Sequence, residues 1–361
     1  MFLGRFRYFS PISATLQSMV TGIDFMSILP APEDIELHYS FEFLNRENEQ
    51  ASDVEVAVSL PTFRRPEHLL KTLQSIETQN TKRNFVCIVM ENDPESGAGA
   101  KVATDFFKQS KIRGIVINAN RRGNCSAYNA GWFTALETFE NLRWIMVIDD
   151  DEVANPDWVE KMTAAAENLD VDMVGGPQQP LFEGNADPKW SRHPVFQPAH
   201  QISGKVPIIY STGNVLISAN VLRHMGYPYL EEKFNFLGGG DSDFYSRCQR
   251  EGYTFGWEKD APVIETIPER RTEISWLNAR GLRNGAISTL IEKRAAAGFS
   301  DKLKIVLKSL GLLAVSPFRS FALFIKTGSP IIGIYHINVA IGRLLMEFGF
   351  ANEQYREPEK N

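Results

Sequence analysis

Cysteine is scarce in this chain of 361 residues: Cys87, Cys125 and Cys248 make an odd number with no CxxC spacing. That leaves neither a disulfide framework nor a thiolate zinc site, and it fits a reducing cytosol. The six histidines form no HExxH pair, so zinc chemistry lacks its ligands. Excess basic charge is also missing. With 44 acidic and 38 basic residues the formal net charge is −6, which offers nucleic acid no bulk cationic surface. The turn after the first strand-like run reads PTFRR, not the glycine-rich phosphate loop that a dinucleotide-binding dehydrogenase or a nucleotidyltransferase carries there. The opening MFLGRFRYFS has no continuous apolar region ending in a small-residue cleavage site, so no secretory signal is expected.

What is present reads as one large α/β domain with appendages. Apolar residues alternate over positions 54–60 and stop at Pro61, the pattern of a strand. Pro66 suits a first helical turn, and Leu69, Leu70, Leu73 and Ile76 then share one predicted helical face. Apolar runs at 85–90, 115–117 and 144–148 are separated by helical or polar stretches, and further strands are expected at 172–175, 208–217 and 253–257. Short buried strands alternating with helices predict a mostly parallel sheet covered on both faces. The expected layout is an N-terminal extension over 1–50, the α/β domain over 51–285 and a C-terminal helical region over 286–361.

Asp149, Asp150 and Asp151 follow an apolar strand directly. Three adjacent carboxylates repel one another and call for a cation if they share a pocket. Hard oxygen ligands suit Mg2+ or Mn2+, which keep coordination positions for phosphate oxygens. The alternative is a solvated acidic turn capping the next helix. Further on, LGGGDSDF combines a turn-permitting Gly238–Gly240 run with Asp241 at the start of a helix expected near Ser242. Asp241 is the candidate general base, with capping assigned to Ser242 or Asp243.

In order, VAVSLPTFRRPEHLLKTLQSI, the VMEND strand end, NRRGNCSAYNAG, MVIDDDEVANPDWV and GGGDSDF resemble the inverting family 2 glycosyltransferases with the GT-A fold, especially the single-sugar transferases of succinoglycan-type exopolysaccharide assembly. The resemblance spans roughly residues 54–285. It implies a Rossmann-like α/β GT-A domain that takes a nucleotide-diphospho-sugar, with UDP the family-weighted choice. Pro61, Thr62 and Arg64 would contact the nucleotide, and Glu91 and Asp93 would lie near base and ribose. Gly123 and Asn129 match the family's third motif, whereas Tyr128 stands where arginine is common. Arg121 or Arg122 could substitute for that arginine. Asp149 and Asp150 would face both donor and metal, with Asp151 completing the metal set. Gly240 replaces the glutamate that usually precedes the base.

Arg280 and Arg283, three apart on one helical face, are assigned either to pyrophosphate or to anionic lipid. Trp190, Asn214, Gly239 and Gly240 are acceptor-side candidates, with packing the alternative for Trp190 and turn formation for the glycines. The QxxRW pattern of processive synthases is absent, which favours single addition. From residue 304 to 350 two long apolar stretches are interrupted by Lys308, Pro317, Arg319 and Arg343, so amphipathic interfacial helices are expected rather than spans. Packing on the domain or on a second copy of the chain remains the other reading of them. The expected setting is cytoplasmic, peripheral at the inner membrane face, with a glycan or lipid-linked acceptor. A non-catalytic scaffold with a decayed transferase fold is the alternative of a different class.

Overall fold

The computed structural model describes residues 34–40 and 51–349. The first part of the chain alternates strand and helix: β1 (Ile35–Ser40), β2 (Val56–Thr62), α1 (Pro66–Glu77), β3 (Phe85–Glu91), α2 (Ala98–Gln109), β4 (Arg113–Ala119), α3 (Asn124–Thr138) and β5 (Trp144–Ile148). β2 to β5 pair in parallel in the order β4-β3-β2-β5, so their carboxyl ends form one edge. The strands are apolar on both sides. Ala57, Ile88 and Ile145 pack in one core cluster with α3, while Val56, Val58, Val89 and Met146 pack in another with α1, α2 and α4 (Trp158–Leu169). Each fully buried Val, Ile or Met among them contributes roughly 1.5–3 kcal/mol.

The sheet is mixed beyond this half, which corrects the expectation of a mostly parallel one. β7 (Met173–Gly175), β9 (Gly204–Val206), β10 (Asn214–Ser218) and β11 (Phe255–Trp257) extend it as β5-β10-β7-β11-β9, with β10 antiparallel to both neighbours. The strand expected over 208–217 is confined to Asn214–Ser218. A second sheet was not anticipated. β6 (Glu152–Ala154), directly after the acidic turn, pairs with β12 (Val263–Ile267), which also pairs with β8 (Gln178–Phe182). On α1 the inward face is Leu69, Thr72, Leu73 and Ile76, and Leu70 points outward.

After α5 (Ala219–Met225) and α6 (Gly240–Arg250), the chain ends in α7 (Ile274–Ala295), α8 (Phe299–Thr327), α9 (Pro330–Gly333) and α10 (Tyr335–Glu347). α7 runs unbroken through residue 285, so the boundary expected there falls inside a helix. It meets α10 with almost no space between backbones: a Cβ on Gly285 would lie 2.0 Å from the Val339 carbonyl oxygen. α8 continues through Pro317 as one helix of 29 residues. Of the N-terminal extension, residues 1–33 and 41–50 lie outside the described residues, and β1 within it adds an antiparallel edge strand to β4.

Candidate active site

The parallel strand ends bring the predicted residues together at one edge. Thr62 at the end of β2 stands beside Glu91 at the end of β3, and Asp149 leaves β5 next to them. Asp150 accepts hydrogen bonds from the Thr62 hydroxyl at 3.0 Å and the Phe63 backbone N–H at 3.3 Å. The turn is clamped from below by α1, whose Thr72 hydroxyl donates to the carbonyls of Asp150 at 3.1 Å and Glu152 at 2.6 Å.

Two consecutive arginines diverge from the β2 turn. Arg64 adopts φ 57°, a left-handed conformation uncommon for residues other than glycine, and donates from Nε to Asp93 at 2.5 Å. Arg65 turns the other way and bonds Asp150 at 3.2 Å and Asp151 at 2.6 Å. Burial disfavours the Arg65 charge, yet Asp150 and Asp151 outweigh it and hold the guanidinium above its ordinary range.

The three aspartates are not a ready-made cage. Among the described residues no group of three or more His, Cys, Asp or Glu is disposed to hold a metal ion. Asp149 is taken by the Tyr128 hydroxyl, while Asp150 and Asp151 share Arg65. Burial together with the neighbouring Asp151 pushes Asp149 up to about 7, and burial opposed by Arg65 leaves Asp150 at about 6. Glu152 lies behind them, fully buried, accepting the Asp149 N–H at 2.8 Å and the Gln178 amide at 2.5 Å. Across the β6–β12 pairing sits Glu265, bonded to Arg271 at 3.0 Å. Asp149, Asp150, Asp151, Glu152 and Glu265 thus interact with one another and with Arg65, Arg271 and Arg280, an excess of carboxyl groups over guanidinium groups that, with burial, holds Asp149, Glu152 and Glu265 toward their protonated forms. Such a donor set suits a hard divalent ion held by one or two carboxylates and completed by substrate phosphates.

Asp241 is half-buried in the first turn of α6. Its carboxylate accepts the Ser242 N–H at 2.7 Å. Burial raises it, and Arg283 and Arg280 pull the other way. The helix cap is Gly239 at φ 87°, not Ser242 or Asp243; Asp243 is instead paired with Arg247 and Arg294. Arg280 acts on both Asp241 and Glu265, and the buried Tyr245 phenol, raised first by burial, feels both Asp241 and Asp149. The acidic turn and the helix-borne carboxylate therefore belong to one electrostatic environment.

Several expected ligands hold the scaffold instead. Glu91 accepts the N–H groups of Asp93 at 2.8 Å and Ala100 at 3.1 Å, fixing the loop after β3. Asn129 exchanges two hydrogen bonds with the Leu230 backbone. Asn214 accepts from the Trp158 indole at 2.8 Å and donates to the carbonyls of Pro177 and Ala261. Trp190 is buried in a separate apolar cluster with Phe196 and Trp276. Arg283 is buried and donates to the Leu237 carbonyl at 3.1 Å, supporting the glycine run before Asp241, while Arg280 lies over the Trp276 ring. Gly123 caps α3 at φ 133° with Asn235 against it, and Gly240 packs on Cys125. Pro61 is a buried residue of β2. Arg121 pairs with Glu232, and Arg122 lies over the Phe63 ring.

Sequence reasoning passed over Asn92, although it lies between two residues that it named. Its amide donates to Ala119 and Arg121 and its oxygen accepts from Gly123, so it holds the NRRG loop against β3. It also passed over Arg65 as the partner of the acidic turn, Thr72, Glu152 and Glu265.

A parallel strand edge that gathers a buried acidic turn, electrostatically joined to a helix-borne carboxylate, is the architecture of a sugar-transferring α/β enzyme. Residues 57–226 match the family model described as Glycosyl transferase family 2, so the chain carries a domain of that family, with its GT-A-like fold, and is a glycosyltransferase. It is 26% identical over 263 residues to the succinoglycan biosynthesis protein ExoM of Rhizobium meliloti (strain 1021), an alignment covering 70% of this chain and 80% of the relative. Among solved structures it is similar to S. aureus TarS 1-349 in complex with UDP, with a TM-score of 0.48 and 13% identity over 84% of this chain and 97% of that one. It is also similar to the mannosyltransferase PcManGT from Pyrobaculum calidifontis in complex with GDP-Man and Mn2+, with a TM-score of 0.49 and 14% identity over 80% and 87%.

Proposed function

We propose that this glycosyltransferase moves one sugar, with inversion, from a nucleotide diphosphate donor, UDP-linked, to a hydroxyl of a glycan or lipid-linked acceptor at the cytoplasmic face of a membrane. The observation that carries the reading is the gathering of Thr62, Glu91 and the Asp149–Asp151 turn at one strand edge, whose charges act with that of Asp241 on the buried Tyr245 phenol. The family match and the succinoglycan biosynthesis relative support sugar transfer onto a growing glycan.

The excess of buried carboxylate favours Mn2+ or Mg2+ at Asp149, Asp150 and Asp151 together with donor phosphates, Asp151 being released from Arg65. When bound, such an ion neutralises the charge that builds on the departing diphosphate. Asp241 accepts the proton of the acceptor hydroxyl, which burial of the carboxylate favours by making it a better base. The hydroxyl attacks the anomeric carbon from the face opposite the leaving nucleotide, so configuration inverts. Arg283 holds the Leu237 carbonyl and with it the approach of the glycine run to Asp241. Thr62 and the Phe63 N–H orient Asp150, and Arg64 fixes Asp93 at the nucleotide end. With no QxxRW segment, one sugar is added per encounter.

The test is turnover of nucleotide sugars with Mn2+, with Mg2+ and with chelator, on the intact chain and on Asp151→Ala. Loss of activity in chelator and in the variant, with an unchanged far-UV circular dichroism spectrum, is expected. Full activity in both would overturn the metal assignment, and no turnover of any nucleotide sugar under any condition would favour the scaffold reading.

A further inference from the structure

The most deeply buried positions of α8 are mostly polar, and its largest apolar side chains are exposed. Of its positions turned toward the protein, Ser309, Ser316, Ser320 and Thr327 carry hydroxyls and are buried with Ile305. Its outward positions Leu303, Leu307, Leu310, Phe318, Phe321 and Ile325 are large and apolar, with Phe318 76%, Phe321 64% and Ile325 65% exposed. At about 100° per residue these six fall within a stripe roughly 80° wide, opposite the buried hydroxyls and running the length of the helix. Arg319 and Lys326, both exposed, lie along one flank of the first, in line with Lys304 and Lys308, which are paired with Asp301 and Glu292. In water this arrangement leaves the apolar side of a helix of 29 residues uncovered.

We propose that α8 lies in the plane of an anionic lipid bilayer, its apolar stripe in the acyl boundary and its basic flank at the headgroups. The charge pattern selects the occupant, since cationic side chains beside an apolar stripe complement anionic headgroups over a hydrocarbon layer. Although α8 has the length and composition to cross a membrane, its inner side argues against spanning. That side packs on α10 and α9 and, over a smaller area, on α7, and the seam contains Arg343 bonded to Glu292 at 2.7 Å and to Ser309 at 3.3 Å, with Lys308 on the same Glu292 at 2.8 Å. A crossing would carry these charges into hydrocarbon, which is strongly unfavourable. An in-plane helix leaves them at the protein side. Because α7 also carries Arg283, the anchor is joined by one rigid helix to the segment before Asp241. The inference rests on the proposed function only for the idea of a membrane setting.

The experiment is co-sedimentation of the intact chain with phosphatidylcholine vesicles, with and without phosphatidylglycerol. Sedimentation with the anionic vesicles, weakened by salt, is expected. Phe318→Ser with Phe321→Ser should lower the partition coefficient by at least about tenfold. Arg319→Gln with Lys326→Gln should lower the preference for anionic vesicles by about fivefold per charge. Circular dichroism and lipid-free sedimentation velocity report that the variants fold. Absence of binding to anionic vesicles overturns the proposal. So does a lipid-free dimer that the double serine variant dissociates while vesicle binding is unchanged, which would assign the stripe to a second copy. Resistance of the bound chain to alkaline carbonate extraction would assign it to a spanning helix. Vesicle binding by a chain that turns over no nucleotide sugar would keep the anchor and remove only the proposed chemistry.

Discussion

The phenolic hydroxyl of Tyr128, on α3, donates to the carboxylate of Asp149 at the end of β5. Tyr128 is buried and Asp149 half-buried, and the bond lies where the family resemblance leads one to expect arginine in place of tyrosine. A neutral donor satisfies the carboxyl group without supplying a positive charge, so Asp149 keeps the raised pKa that burial and Asp151 give it. The exchange of arginine for tyrosine thus leaves the cation to come from Arg65 or from a bound ion.

Tyr128→Phe removes a donor from a half-buried carboxyl group and should destabilise the fold by about 1–3 kcal/mol. Tyr245→Phe is the internal comparison, because that hydroxyl donates to the Ser211 carbonyl at 3.1 Å, a neutral acceptor, and its loss should cost about 0.5–1.5 kcal/mol. Urea midpoints at equal slope give both numbers. Equal losses in the two variants would mean that the carboxylate gains nothing special from Tyr128.

Asp241→Asn should reduce sugar transfer by roughly 100- to 10,000-fold while leaving binding of the nucleotide diphosphate intact by calorimetry. Arg283→Gln separates positioning from donor contact. Through the Leu237 carbonyl it should lower kcat with little change in KM for the donor. A rise in donor KM at unchanged kcat would instead return Arg283 to the pyrophosphate role that its spacing suggests.

Much of the α/β half is legible in the sequence because β2, β3 and β5 are long enough for a pattern and are buried on both faces, and because Pro66 marks the start of α1. The acidic turn is legible for the same reason, as an abrupt change at the end of an apolar strand. β6 has only three residues, and β8 contains Pro180, so neither carries a period that a sequence can display. Their pairing with β12 is a long-range fact. The bond from Arg65 to Asp150 joins residues 85 positions apart, and no local signal announces it. Trp190 and Asn214 look like sugar ligands by type, but their surroundings, an apolar cluster and two backbone carbonyls, make them packing residues.

Gly240 tests how tightly the base is held. A Cβ there would come within 2.5 Å of the Cys125 sulfur, on the opposing α3. Gly240→Ala should cost about 1–3 kcal/mol through overpacking. Removing the sulfur with Cys125→Ala should recover part of that loss in the double variant, a coupling of about 0.5–3 kcal/mol in a double-mutant cycle by urea unfolding. Strict additivity would place the cost in the backbone of the glycine run instead.

His193 gives the fold an acid-sensitive point away from the site. It is 2% exposed, and its Nδ1 accepts the Val195 N–H at 3.2 Å, which requires that nitrogen to be unprotonated. Burial lowers its pKa from 6.5 to about 4 in the folded protein. The unfolded chain therefore binds the proton more readily, and stability falls as pH drops from about 6.5 toward 4, by up to about 3 kcal/mol for this residue. His193→Asn retains a side-chain acceptor for Val195 but does not titrate in this window. Its unfolding free energy should be lower than that of the natural chain at neutral pH, yet flatter between pH 7 and 4.5. Parallel curves for the two proteins over that range would mean that another group carries the acid sensitivity.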